Sequence, residues 1–351
     1  MSQDRLTRRS LHCLISQGLL ISLTASLLVS CIGADPLRVG FAAHLTGTHG
    51  ELGVQERNGI QLAVEETNAA GGLAGRSVEL VVEDDLGTPE GARSADRKLI
   101  DAGVVAIISH ATSGQSLAGL SVTDPARVVM LSPTTSNLEL SGRDGYCFRI
   151  VQTMTAQAQH SAQYIYESLG DTMVVQASFS SMAQPDVAPL VAKSHAENPD
   201  GLLIIAADID TALIARRTRL IGWSAPLFTT SWTQTETLIH NGGQAVEGLQ
   251  LELISALNNQ TPKYLEFKAH YQERFGLAPS FGAVLGYEAA GVLAVALQET
   301  GGEAEGLRQA LVGIKNFERL SDTFSLDENG DAVRPIHLGV IHNGQYIGAE
   351  S

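Results

Sequence analysis

The sequence predicts an α/β protein with parallel sheets and helices on both faces, divided into two lobes. Three observations carry this. Short apolar, β-branched runs alternate with segments of helical period, which is the pattern of strand–helix–strand units. The chain has 351 residues, and a single hydrophobic core stops growing at about 250–300 residues. No low-complexity linker interrupts the alternation, so the lobes should be joined by close crossings and not by a tether.

The elements follow in order. The run 37–42 reads as a strand. Ile60, Ala63, Val64 and Thr67 recur at i, i+3, i+4 and i+7, one face of a helix. Gly71-Gly72 stops that helix, because glycine tolerates the left-handed conformation of a helix end. A strand over 78–82, a helix marked by Ala92, Ala95 and Leu99, and strands over 104–108 and 128–131 come next. After a crossing at Phe148-Arg149-Ile150-Val151 the pattern resumes with a helix over 158–169, a strand over 172–177 and a helix over 187–196. A strand over 202–206, a helix over 212–221 and a strand over 227–230 complete it. Beyond 249–253 lie helices near 263–275, 284–299 and 305–315. The tail, 336–347, is a hairpin turning at Asn343-Gly344, a preferred pair for a type I′ turn.

Composition narrows the function. The chain is 44% hydrophobic and 17% charged, as globular proteins are. Its 23 Lys+Arg against 38 Asp+Glu leave a formal charge of -15, and so acidic a surface disfavours nucleic acid as a partner. Past residue 30 no apolar stretch reads as a bilayer span. Residues 1–30 read as an export signal: Arg5, Arg8 and Arg9 precede an apolar segment over 14–29. It ends in Leu28-Val29-Ser30-Cys31, which resembles a bacterial lipobox. The resemblance implies that Cys31 is acylated and becomes the new N-terminus. The plainer reading is a cleaved signal with an incidental cysteine. Cys13 leaves with the signal in either case. With Cys31 lipidated, Cys147 has no partner for an intramolecular disulfide. Stability must then come from a large core.

Several stretches carry a family resemblance: Val39-Gly40-Phe41 with Leu45-Thr46-Gly47; Gly59-Ile60-Gln61-Leu62-Ala63; Asn68-Ala69-Ala70-Gly71-Gly72; Glu83-Asp84-Asp85; Leu131-Ser132-Pro133-Thr134-Thr135-Ser136; Phe148-Arg149; Asn198-Pro199-Asp200-Gly201; and Gly286-Tyr287-Glu288-Ala289-Ala290. Taken in order, they resemble a type I periplasmic solute-binding protein of the leucine/isoleucine/valine-binding family that feeds ABC importers. The resemblance implies two Rossmann-like lobes with a hinge of three crossings, closing on a ligand between them. Lobe 1 is then 36–151 plus 256–326, and lobe 2 is 152–255 plus 327–351. One departure stands out. The helix ending at Gly170 runs directly into 171–175, so a strand and helix of lobe 2, roughly 30 residues, are missing. A reduced sheet and an incomplete ligand wall are expected there.

Ligands of parallel α/β sheets sit beyond the strand C-termini. His110-Ala111-Thr112-Ser113-Gly114 follows the strand 104–108 and opens a helix. Ser113 can cap that helix, Thr112 belongs to the same turn, and the exposed N–H groups can receive a carboxylate. The resemblance implies that Ser113, Thr134 and Ser136 stand where the family holds an α-carboxylate. The plainer reading is that these residues are caps and turns. The family usually meets the ligand's amino group with a carboxylate, but the corresponding loop, Thr229-Thr230-Ser231-Trp232-Thr233, has no acid. Asp208, after the strand 202–206, is the substitute candidate. Trp232 either packs on an apolar ligand group, or holds a cation, or is structural. Leu52 stands where branched-chain binders often place an aromatic. Tyr287 either lines the cleft or is core.

Other signals point away from chemistry. Glu83-Asp84-Asp85 reads as a solvated, helix-capping turn and not a Mg²⁺ cluster. The stretch Asp327-Glu328-Asn329-Gly330-Asp331 has Gly at the fourth place of a Ca²⁺ loop and Leu338 at its bidentate position, so a β-turn is favoured. The 10 His show no zinc spacing, and no G-x-S-x-G elbow is present. No cofactor, metal or catalytic constellation is read. The expectation is a lipid-anchored periplasmic solute-binding component of an ABC importer. Its ligand would be a small, branched-chain-like amino acid or related carboxylate, and its partner a permease. Membrane contact would be through the lipid alone. The alternative is an envelope interaction lipoprotein that keeps the fold but has lost transport.

Overall fold

The computed structural model describes residues 35–46, 50–143, 145–170, 178, 186–253, 260–318, 320 and 322–348. The export segment, Cys31, the strand read at 172–177 and the crossing near 255 lie outside the described residues.

The first lobe forms where the apolar runs predict it. β1 (Leu37–Ala43) pairs in parallel with β2 (Val78–Asp84) and β3 (Ala106–Ser109). β4 (Val129–Ser132) and β5 (Cys147–Arg149) extend the sheet, in the order β2-β1-β3-β4-β5. Helices α1 (Glu51–Ala69), α2 (Pro89–Asp101) and α3 (Ser113–Ala126) connect successive strands. Every residue of β3 and β4 is buried, because helices cover both faces, and this is why these strands are continuous apolar runs. Thr88 caps α2 by accepting from the Gly91 N–H at 2.9 Å.

Beyond the crossing, α4 (Met154–Leu169), α5 (Ala188–Ala196), β6 (Leu202–Ile204), α6 (Asp208–Leu220), β7 (Leu227–Thr229), α7 (Glu236–Gly242) and β8 (Gln250–Leu253) build the second lobe. The chain then returns to the first lobe with α8 (Pro262–Phe275), α9 (Phe281–Glu299) and α10 (Leu307–Gly313). β9 (Phe317–Glu318), β10 (Thr323–Leu326) and β11 (Ala332–Val333) form a small antiparallel sheet that the sequence reading did not contain. β12 (His337–His342) and β13 (Gln345–Gly348) complete the second sheet, whose order is β13-β12-β8-β7-β6. Their hairpin turns at Asn343 and Gly344 with φ of 50° and 68°, as a type I′ turn requires.

The main core lies between the first sheet, α1 and α9, and includes Phe41, Ile60, Ile108, Leu131, Phe281 and Leu293. α1 and α9 meet at backbone distance through glycine: a Cβ on Gly59 would stand 2.0 Å from the Ala283 carbonyl. α9 is long and apolar enough to cross a membrane by length and composition. This corrects the reading that no such stretch follows residue 30. Its apolar character is accounted for by burial, since most of the helix lies inside the lobe.

The second lobe is built differently. α4 has no buried residue; it meets the sheet through Ser161 donating to Glu252 Oε1 at 2.8 Å, Tyr164 donating to Gln250, and the Tyr164 ring edge-on to Phe228 of β7 at 6.2 Å. On the first sheet's edge strand β5, Arg149 is buried and donates to Asp331 Oδ1 at 2.6 Å. Asp331 ends the 327–331 turn, in which Asp327 accepts from the Asn329 and Asp331 N–H groups, each at 2.9 Å. The structure thus forms the expected β-turn there.

Candidate functional site

The C-terminal ends of the adjacent strands β3 and β4 bring two loops together, 110–112 and 133–136. A buried hydroxyl network ties them. Ser132 Oγ donates to the His110 carbonyl at 3.0 Å, and Thr135 Oγ1 lies 2.8 Å from Ser116 Oγ. Ser116 in turn reaches the Thr112 carbonyl at 3.2 Å. Thr134 is fully buried, with its Oγ1 2.7 Å from Glu56 Oε1 and 2.9 Å from the Ala111 carbonyl.

The structure refines the role of each candidate. Thr112, not Ser113, occupies the N-cap of α3; its side chain makes no capping bond, and Ser113 is the first helical residue. Thr112 is exposed and Ser113 half-buried. The first-turn amides of α3 are therefore not capped by a side chain, and a helix N-terminus of that kind receives anions. Ser136 is buried, and its carbonyl accepts from the Met154 N–H at 2.8 Å, which joins this loop to the start of α4.

Beneath the loops lies an ionisable cluster that the sequence reading missed. His110 is fully buried, with Nδ1 2.7 Å from Asp85 Oδ2 and Nε2 3.2 Å from Asp96 Oδ2. Burial opposes charge on this imidazole, but the hydrogen bonds and charges of Asp85 and Asp96 outweigh it and push the pKa up to about 9. Imidazolium then donates from both nitrogens. Glu56 is wholly buried on α1, and desolvation pushes its carboxyl up to about 8 against the opposing bond from Thr134. Asp85 corrects the reading of Glu83-Asp84-Asp85 as a solvated turn: it is 1% exposed, and its Oδ1 accepts from the Gly87 N–H at 2.8 Å. A signal for Glu56 was present, because it lies four residues before Ile60, on the stripe of α1 that faces the core.

In the second lobe, Asp208 begins α6. Its Oδ2 accepts from the Thr235 hydroxyl at 2.8 Å and its Oδ1 from the Ile209 N–H at 2.8 Å. Trp232, in the single turn after β7, packs against the first lobe's core, edge-on to Phe281 with centroids 6.3 Å apart. Leu52 packs against the same core, and its side chain lies beside Gly282. Tyr287 is drawn elsewhere: its hydroxyl donates to Glu66 Oε2 at 2.6 Å and its ring packs on Phe267 at 4.8 Å. Glu66 belongs to the last turn of α1, whereas the ligand loops lie beside the first, so Tyr287 serves the α1–α8–α9 layer and not the cleft. Among the described residues no group of three or more His, Cys, Asp and Glu is placed to hold a metal.

Two α/β lobes that touch where Trp232, after β7, meets Phe281 at the start of α9, with hydroxyls and helix-terminal amides at the strand ends of the first lobe, have the form of a two-lobed binding protein. The chain belongs to the periplasmic binding protein family, whose model matches residues 36–178 and 167–345. The two matched segments share 167–178, the place where the sequence reading finds a strand and helix missing. A Leu/Ile/Val-binding protein of Rhizobium johnstonii is 31% identical over 154 residues, 44% of this chain and 42% of that protein. The chain thus spans about two fifths of the length of that curated relative. The Leu/Ile/Val-binding protein of Escherichia coli is 23% identical over 262 residues, covering 64% of this chain and 71% of that one. Among solved structures, the leucine binding protein LivK of Thermotoga maritima superposes with a TM-score of 0.81 at 26% identity, over 90% of this chain and 98% of that chain. LivJ of Streptococcus pneumoniae, in complex with isoleucine, gives 0.79 at 20% identity over 90% and 99%. The latter shows a shared fold.

Proposed function

We propose that the chain is the solute-binding component of an ABC importer, lipid-anchored through Cys31 in the bacterial periplasm, and that it performs no chemistry. Its ligand is a small, branched-chain-like amino acid or a related carboxylate. The observation that carries this reading is the uncapped start of α3 beside the β4 loop. The amides and hydroxyls of Thr112 and Ser113 receive the carboxylate, with the backbone of 134–136 as the second wall. The Thr134 hydroxyl is already engaged inward and contributes through the loop it holds. Trp232 and Asp208 supply the second lobe's side. The ligand stabilises the closed form by touching both lobes, and a permease reads that form.

A thermal-shift series with L-leucine, L-isoleucine, L-valine and isovalerate tests this. A ligand at about 100 times its dissociation constant adds about 2.7 kcal/mol. Thr112→Val with Ser113→Ala should reduce that shift, and an undiminished shift would remove these hydroxyls from the site. A blank across all four compounds favours the interaction-lipoprotein reading, which the Trp232–Phe281 contact across the cleft also supports. Cys31→Ser should release the protein from the membrane fraction; retention would rule out the lipid anchor.

A further inference from the structure

Thr134 poses a question of proton supply. Its Oγ1 lies 2.7 Å from Glu56 Oε1 and 2.9 Å from the Ala111 carbonyl oxygen. A hydroxyl has a single proton to donate. Were Glu56 a carboxylate, two acceptors would compete for that proton, and one buried contact would be left unmade. Were Glu56 a carboxylic acid protonated on Oε1, both contacts would become hydrogen bonds. Glu56 Oε2 has no hydrogen-bond partner among the described residues, which suits the carbonyl oxygen of an acid far better than a charged oxygen.

We propose that Glu56 is a carboxylic acid serving as a positioning residue for the ligand's carboxylate: its O–H donates to Thr134, Thr134 donates to the Ala111 carbonyl, and this relay holds the two ligand loops in register. The proposal rests on the ligand reading given above.

The surroundings favour the neutral form. Asp85 comes from the turn after β2, Asp96 from α2, and His110 from the loop after β3. Burial is the main cause of the neutral form: it takes the Glu56 carboxyl away from water, the charge of Asp85 acts in the same sense while that of His110 opposes it, and the pKa is pushed up to about 8. α9 crosses the Glu56 backbone at Gly286, where a Cβ would stand 2.4 Å from the Glu56 main-chain carbonyl. The next ionisable groups on α9 are turned to other partners, Tyr287 donating to Glu66 Oε2 at 2.6 Å and Glu288 facing Arg334 at 3.8 Å. Ionisation of Glu56 would withdraw the donor into Thr134 and add negative charge below the ligand's carboxylate. Both effects weaken binding.

The test compares wild type with Glu56→Gln, whose amide donates to Thr134 at every pH. L-leucine is titrated calorimetrically into both proteins at pH 6.5 and pH 9, so that ionisation of the leucine amine cancels in the ratio. The ratio of wild-type to variant dissociation constants should rise about tenfold between the two pH values, the equivalent of one pKa unit. Amide exchange at 111–113 and 133–136 supplies a readout that needs no ligand. At matched pH it should be faster in wild type than in the variant at pH 9, with no such difference at pH 6.5. A constant ratio together with matched exchange at both pH values overturns the proposal. Should leucine bind neither protein, the exchange comparison alone decides the role of Glu56, and the failure falls on the proposed ligand. Thr134→Val, which removes the relay's middle member, should loosen the same amides at both pH values.

Discussion

At the scale of single residues, the first lobe carries two buried groups whose protons are held more tightly in the folded chain than in the unfolded one. Glu56 moves from an ordinary 4.5 to about 8, and His110 from 6.5 to about 9. A raised pKa in the folded state gives stability that is fully present below the unfolded value and is lost as pH climbs through the folded value. The Glu56 contribution therefore fades between about pH 4.5 and 8, and that of His110 between about 6.5 and 9. The melting temperature should fall from pH 5 to pH 9. Glu56→Gln should flatten the first part of that fall, leaving the variant more stable than wild type at pH 8 by about 4 kcal/mol. Parallel melting curves for the two proteins across this range would show that Glu56 does not titrate as described. His110→Gln leaves Asp85 and Asp96 without their shared cation and should cost about 3–5 kcal/mol, read by urea unfolding at pH 7.

At the scale of elements, the pairing of α1 with α9 depends on the absence of side chains at the crossing. Replacing a mid-helix glycine by alanine ordinarily stabilises by about 0.5–1 kcal/mol. Here the added methyl at Gly59 would meet the Ala283 carbonyl at 2.0 Å, and at Gly286 the Glu56 carbonyl at 2.4 Å. Both obstacles are backbone and cannot rotate away. Gly59→Ala should therefore reverse the usual sign and destabilise by about 1–3 kcal/mol. A higher urea midpoint for this variant would contradict the packing. The second lobe's α4 packs more loosely: with no buried residue, it meets its sheet through the Ser161 and Tyr164 hydroxyls and the edge-on contact of the Tyr164 ring with Phe228.

At the scale of the molecule, the lobes touch where Trp232 meets Phe281. An edge-to-face aromatic pair adds about 0.5–1.5 kcal/mol beyond its area, enough to change the ratio of closed to open forms by roughly two- to tenfold. Trp232→Ala should give a larger radius of gyration in small-angle scattering without ligand. Identical scattering curves would show that this contact does not hold the lobes together.

Much of this architecture was legible in one dimension. The strands of the first lobe are apolar runs because both faces are covered, and the Asn343-Gly344 turn declares itself because few residue pairs accept two positive φ angles. The loops after β3 and β4 could be picked out as ligand-facing because topology alone puts strand ends at a parallel sheet's mouth. What the chain could not reveal along its length is the buried set of Glu56, Asp85, Asp96, His110 and Thr134. Its members are spread over 78 residues, and each alone resembles a surface polar group. Tyr287 failed in the reverse sense, since a tyrosine opening a helix motif gives no sign of which neighbour its hydroxyl will find. Periodicity reports whether a position faces inward. Which polar partners meet there, and therefore which protonation state survives, depends on distances that exist only once α1, α2 and the two strand-end loops are packed together.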